Sequence, residues 1–158
     1  MDSSLNPFLV EKFVDHDMCT ISVKIEGRDV FLCSLYLDIL KEVSHPLFLA
    51  VIEHCNSHGI PLVIGADTNA HSLLWGSADW NQRGDALEDI VLTSNLTIVN
   101  TGGVSTFVST RAESVIDVTM INNSALNHLM VSDWVVSMEP SCRTTGMSYS
   151  IWGIIHRR

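Results

Sequence analysis

The run PLVI, Pro61–Ile64, has no polar residue to turn toward water, so it reads as a short strand buried on both faces. A strand covered on both sides needs neighbours in a sheet and further layers against it. The flanking sequence supplies candidates for both. Upstream, MCTISVKI (Met18–Ile25) and VFLCSLYL (Val30–Leu37) are strand-like runs joined by EGRD, whose glycine suits a tight turn, and together they read as a hairpin. Ser44 and Pro46 then open a helix over PLFLAVIEHCNSHG, with Leu47, Val51 and Cys55 on one face and Gly59 as its C-terminal stop. Downstream, DALEDIVLTSN carries Leu87, Ile90 and Val91 at helical spacing and ends near Asn95. LTIVN is a short strand, TGGVS a turn, and SVIDVTMI and MVSDWVVSM two more strands separated by NNSALNH, a short helix. This alternation predicts an α/β (α+β) domain with a substantial sheet.

At 158 residues the chain has room for one domain with a real core, and 46% hydrophobic against 17% charged residues excludes a disordered chain. Eighteen acids against nine bases give a net charge of -9, which repels a polyanion unless the bases cluster or a divalent cation sits at the site. The four cysteines, Cys19, Cys33, Cys55 and Cys142, have no CxxC spacing and read as buried free thiols of a reducing compartment. No apolar run approaches the ~18 residues of a membrane span, and the N-terminal MDSSLNPFLVEKF lacks the pattern of a signal peptide. A soluble, intracellular protein is the expectation.

The residues that suggest chemistry follow PLVI directly, in GADTNAHSLLWGS, Gly65–Ser77. Side chains alternate along an extended chain, so Asp67 and Asn69 point to the same side. Asp67 is then placed to orient or deprotonate a water while Asn69 hydrogen-bonds an oxyanion or the same nucleophile. His71 joins them if the extended path continues. Asp and Asn are also common loop caps after strands, and the triplet alone leaves the two readings level. Tyr36, inside an apolar strand, needs a partner for its hydroxyl, and Asp117 interrupts SVIDVTMI, where a buried charge is costly unless paired. A solvent-facing Asp117 is the simpler alternative. His54 and His58, at i and i+4, have zinc-ligand spacing without an evident third ligand and read as a solvated helix face. Trp75 and Trp80 flank the loop after His71 and read as packing the loop onto the core, the alternative being stacking on a base.

In order along the chain, Tyr36 in SLYLDI, GADTNAHSLLWGS, NQRGDALEDIVLTSNLTIVNTGGVSTF and SVIDVTMI resemble the endonuclease/exonuclease/phosphatase family. The resemblance runs from about Met18 to Cys142 and is strongest to the apurinic-type endonuclease domain of arthropod non-LTR retrotransposons. It implies a four-layered sandwich of two β-sheets flanked by helices, Mg²⁺-dependent cleavage of phosphodiester bonds, and nicking of target DNA, with a nuclear location if that role is retained. It implies that Tyr36 contacts the scissile phosphate, Asp67 activates the water, Asn69 holds nucleophile and phosphate, and Asp117 orients a catalytic histidine. Asp67 and Asn69 are the implied metal-side residues. His71 matches a histidine common in the retrotransposon branch.

Two parts of the family pattern are missing from this sequence, so the fold is expected to lack N-terminal and C-terminal strands. The family's first strand with its Asn, and its metal-binding Glu, have no counterpart. At the other end SCRTTGM stands where the family carries Ser-Asp-His. Residues 1–142 therefore read as a partial domain and 143–158 as a non-family tail. Weak or absent catalysis is expected, the alternative being a non-catalytic nucleic-acid-binding module or decayed remnant. Unpaired sheet edges would favour association.

The tail has an explanation in the genetic code. Synonymous codons exist for Arg143–Gly153, RTTGMSYSIWG, that read SDHRYVLFDLG once a single T is restored before them. One nucleotide lost after the Cys142 codon would put every later residue out of frame. Nucleotide sequence across this codon is predicted to encode Ser-Asp-His in the neighbouring frame; a different reading there rules the frameshift out.

Overall fold

The hairpin and the strand after it form where the apolar pattern places them. The structure is a computed structural model that describes residues 6–140 and 147–157. In chain order its elements are β1 (Phe8–Leu9), β2 (Met18–Ile25), β3 (Arg28–Tyr36), α1 (Pro46–His58), β4 (Leu62–Asp67), α2 (Gln82–Thr93), β5 (Leu96–Ile98), β6 (Phe107–Val108), β7 (Glu113–Ser114), β8 (Asp117–Asn122), α3 (Asn123–His128), β9 (Leu129–Pro140) and β10 (Met147–Arg157). Glu26 and Gly27, with φ of 50° and 81°, make the left-handed turn that joins β2 to β3.

Six strands form one sheet in the order β1-β2-β3-β4-β8-β5, and four form a second in the order β7-β6-β10-β9. The β3–β4 pair is parallel, with α1 as its crossover, while β4–β8 and β2–β3 are antiparallel. Two sheets with helices against them make the α/β sandwich that the resemblance implies. β10 runs antiparallel to β9 with register shifts along the way. Residues 141–146, which include Cys142 and the start of the tail read as out of frame, lie outside the described residues.

The main core fills one face of the six-stranded sheet. Phe31, Cys33 and Leu35 of β3, Leu62, Ile64 and Ala66 of β4, and Val118 and Met120 of β8 meet Phe48, Val51, Ile52 and Cys55 of α1 and Leu87 and Val91 of α2. The buried stripe of α1 includes Phe48, whereas Leu47 is half-buried: successive i+4 steps drift off a 3.6-residue face, so the stripe centres one position later than Leu47, Val51 and Cys55 suggest. α2 begins earlier than its apolar spacing indicates, because Asn81 caps it by accepting the Gly84 N–H at 2.7 Å.

A smaller cluster on the opposite face joins Val23, Val30, Ile121, Ala125 and Leu129. The second sheet reaches this face through Trp134 of β9, whose Nε1 donates to Thr119 Oγ1 at 3.1 Å. The same face stays open further along: Cys19, Ser34 and Gly65 are exposed, and a Cβ on Gly65 would meet nothing within 4 Å. Cys19 is therefore not the buried thiol expected, since its position in β2 points to the uncovered side; Cys33 and Cys55 are buried, and burial pushes their thiols up to about 11 and about 12. Among the described residues no helix is long and apolar enough to cross a membrane.

Asn122 ties these layers together from a fully buried position. Its Oδ1 accepts from Leu62 N at 3.0 Å and from Ala125 N at 2.9 Å, and its Nδ2 donates to Ile60 O at 2.9 Å and Asn56 Oδ1 at 3.1 Å. One amide thus caps α3, opens β4 and closes the end of α1. Asn122→Ala strands these groups in the interior and should lower the unfolding free energy by about 3 kcal/mol. Urea unfolding measures it, and a loss below about 1 kcal/mol would show that the network is dispensable.

Candidate active site

Register assembles the site. β3 and β4 pair so that Tyr36 lies opposite Asp67, and β4 and β8 pair so that Asp67 lies opposite Asp117. Directly paired residues share a face, and their neighbours Leu35, Ala66 and Val118 point the other way into the core, at 3%, 3% and 0% exposure. Tyr36, Asp67 and Asp117 consequently form one row across three adjacent strand ends, with Tyr36 exposed and both carboxylates half-buried. The row holds Tyr36 and Asp117, which are far apart in sequence, on either side of the aspartate that follows the buried strand.

Backbone bonds secure the three ends. Tyr36 N donates to Asp17 O and Leu37 N to Asp67 O, each at 2.8 Å. The Asp17 carboxylate is in turn held by Lys41 Nζ at 2.7 Å, and the hydrogen bonds from Lys41 and His16 bring its pKa down to about 2. On β8, the buried Thr106 accepts from the N–H groups of Ile116 and Asp117 at 3.1 and 3.0 Å. Asn100 bridges the same strand, accepting from Thr119 N at 2.8 Å and donating to Asp117 O at 2.9 Å. Thr106 and Asn100 hold the strand that carries Asp117 without belonging to a strand themselves.

Alternation does not carry Asn69 and His71 onto the row as an extended path requires. β4 ends at Asp67, and Asn69 turns into the left-handed region at φ 49°, a conformation its short polar side chain tolerates. Its Nδ2 donates to Leu37 O at 3.1 Å, which brings the amide back across to the end of β3 beside Tyr36. His71 faces a different partner: its Nδ1 lies 2.7 Å from Asp79 Oδ1. Its backbone is bracketed by Asn81, whose Oδ1 accepts from His71 N and whose N–H donates to His71 O, both at 3.1 Å.

Arg83 is the residue that strand and helix patterning misses. Its guanidinium donates to the carbonyls of Thr68, Leu37, Asp38 and Lys41, at 3.1 Å for Thr68 and 3.0 Å for Leu37 and Asp38. Leu37 O therefore accepts from both Asn69 and Arg83. Burial lowers the pKa of Arg83, but its ordinary value is so high that the charge persists. Gly84 allows this approach, because a Cβ there would collide with the His71 carbonyl. The signal available in sequence was the NQRG stretch itself, whose Arg and Gly have no periodicity to mark them.

His54 and His58 lie against each other with ring centroids 4.3 Å apart and a tilt of 39°, and His54 also lies against the rings of Phe13 and Phe31. Among the described residues no three His, Cys, Asp or Glu side chains gather to hold a metal. The Asp67 carboxylate and the Asn69 amide beside the row are hard oxygen donors, of the type a hard cation takes. A concavity of about 630 Å³ near the site is lined by Arg83 but by none of Tyr36, Asp67, Asn69 or Asp117.

Arg83→Met releases four carbonyls and is expected to lower the unfolding free energy by about 2–3 kcal/mol, with Arg83→Lys recovering part of the loss. Hydrogen exchange at residues 37–41 and 68–71 should rise before exchange in the core; unchanged exchange there in Arg83→Met removes the clamp.

Residues 30–142 match the family described as endonuclease-reverse transcriptase. No curated protein matches the chain. Among solved structures, the endonuclease domain of TRAS1, a telomere-specific non-LTR retrotransposon, is 25% identical with a TM-score of 0.74 and covers 88% of this chain. This chain spans 64% of that one, less than two thirds of its length. The 3′ phosphatase NExo from Neisseria, bound to a product DNA hairpin, shares the fold at 15% identity and a TM-score of 0.60, covering 98% of this chain and 71% of its own. An endonuclease/exonuclease/phosphatase family protein from Leptotrichia buccalis shares it at 13% identity and a TM-score of 0.58, covering 98% of this chain and 61% of its own.

Proposed function

The chain belongs to the endonuclease-reverse transcriptase family, as a retrotransposon-type domain of the endonuclease/exonuclease/phosphatase fold, and on that premise we propose that it carries the water-activating part of a Mg²⁺-dependent DNA-nicking site. The observation that supports this most is the registered row of Tyr36, Asp67 and Asp117 with Asn69 folded back beside it.

In this reading the Asp67 carboxylate orients the attacking water and takes its proton. Asn69, anchored through Nδ2 on Leu37 O, keeps its side-chain oxygen for the nucleophile or cation. The exposed Tyr36 hydroxyl donates to a phosphate oxygen, and Asp117 stands where it would orient the histidine of a Ser-Asp-His motif. The Asp67 carboxylate and the Asn69 side-chain oxygen are the donors that would hold Mg²⁺, which supplies Lewis-acid polarisation of the phosphate when bound. His71, kept in place by Asp79 and Asn81, flanks the phosphate path.

Weak activity accompanies this assignment. Ser-Asp-His is replaced after Cys142, where the family match also stops. That replacement removes stabilisation of the charge that develops on the phosphate. A tail lying out of frame accounts for it. The net charge of -9 favours a second reading, a remnant or binding module without catalysis.

Plasmid nicking in Mg²⁺ separates the readings. Slow nicking by the chain, reduced about 100-fold or to background in Asp67→Ala, is the outcome expected for a general base. Equal, background-level nicking by both rejects catalysis. Salt-dependent DNA binding without cleavage then supports a module, and no binding with a broad unfolding transition supports a remnant.

A further inference from the structure

Resting on the DNA-nicking reading and deepening it, we propose that Trp80 is a stacking platform for a nucleobase of the strand whose phosphate lies at the Asp67 end of β4. The two tryptophans that flank the loop after His71 have opposite fates. Trp75 is 1% exposed, with Nε1 donating to Ala70 O at 3.3 Å, whereas Trp80 is 66% exposed. An exposed indole forgoes the burial of one of the largest apolar surfaces a side chain has.

Looseness of the loop does not account for that exposure. Asp79, just before Trp80, binds His71 Nδ1 at 2.7 Å. Asn81, just after it, exchanges two bonds with the His71 backbone at 3.1 Å and caps α2 through Gly84 N at 2.7 Å. The indole is therefore mounted between two pinned residues, and His71, to which both are pinned, is two positions from Asn69. Leu73 and Leu74 of the same loop are also exposed, at 72% and 52%. The loop spends its polar side chains on its own framework and, Trp75 apart, turns its large apolar ones outward, the reverse of ordinary burial.

Charge selects the occupant. With nine bases against eighteen acids, and with the exposed Asp79 carboxylate next to the indole, this surface offers little to a phosphate backbone. A nucleobase stacked on an aromatic face is uncharged and needs no hydrogen-bond code, so it contributes affinity where phosphate contacts are few. Bases flank every phosphodiester of a strand that enters beside Asn69. Stacking on Trp80 gives that strand a hold whose strength depends little on salt.

The test follows tryptophan emission and affinity as short oligodeoxythymidylate is added to the intact chain, to Trp80→Phe and to Trp80→Ala. Binding is expected to quench wild-type emission, with the quenched component missing from both variants. Affinity should fall roughly tenfold or more in Trp80→Ala and less in Trp80→Phe, with a shallow salt dependence and unchanged thermal unfolding. Binding of equal strength by wild type and Trp80→Ala, with unaltered emission, overturns the stacking role and leaves the DNA reading standing. Binding by neither overturns both. A change of emission with protein concentration alone, abolished in Trp80→Ala, assigns the surface to contact between copies and also overturns the proposal.

Discussion

Everything at the candidate site depends on the register of β4 against its two neighbours. β4 is paired on one side in parallel and on the other antiparallel, and both pairings bring their partner residue level with Asp67. A slip of one residue on either side would send Tyr36 or Asp117 to the helix-covered face and bring an apolar neighbour out in its place. The register resists that slip because Leu35, Ala66 and Val118 are buried on the core side. Burial of those three side chains and presentation of the polar three are one constraint seen from the two faces of the sheet.

Beyond the strand ends, control passes from burial to hydrogen bonding. The Leu37 carbonyl receives the Asn69 amide and the Arg83 guanidinium, and Arg83 spans from there to Thr68 and Asp38. Three separate segments, the end of β3, the turn after β4 and the first turn of α2, are fixed relative to one another by one planar, many-donor side chain. A lysine has the charge but not the fork, so the geometry calls for arginine. Gly84 follows it because α2 packs on the His71 backbone too closely for a side chain.

The fold was largely readable in the chain: the hairpin, α1, the buried strand and α2 lie where apolar spacing and turn residues place them, with α2 starting a few residues earlier because Asn81 caps it. Within the site, Asp67 was readable as the end of a buried strand. The path beyond it was not, since alternation says nothing about a left-handed turn at Asn69. Arg83, Thr106 and Asn100 escaped notice because side-chain-to-backbone bonds leave no periodic mark in a sequence. Trp75 and Trp80 looked alike for a similar reason: only the loop's own bonding decides which indole goes inward.

By itself, the sequence determined the strand and helix inventory, the family pattern from Tyr36 to Asp117, and a charge of -9 that makes phosphate contact alone a poor basis for DNA affinity. These depend on composition and on short-range periodicity, which a chain carries before it folds. Tertiary structure decided that Tyr36, Asp67 and Asp117 stand in one row, that Asn69 folds back to β3 while His71 turns to Asp79, and that Trp80 remains outside. Those outcomes depend on strand pairing and on carbonyls shared between distant segments, and such contacts exist only once the layers have closed.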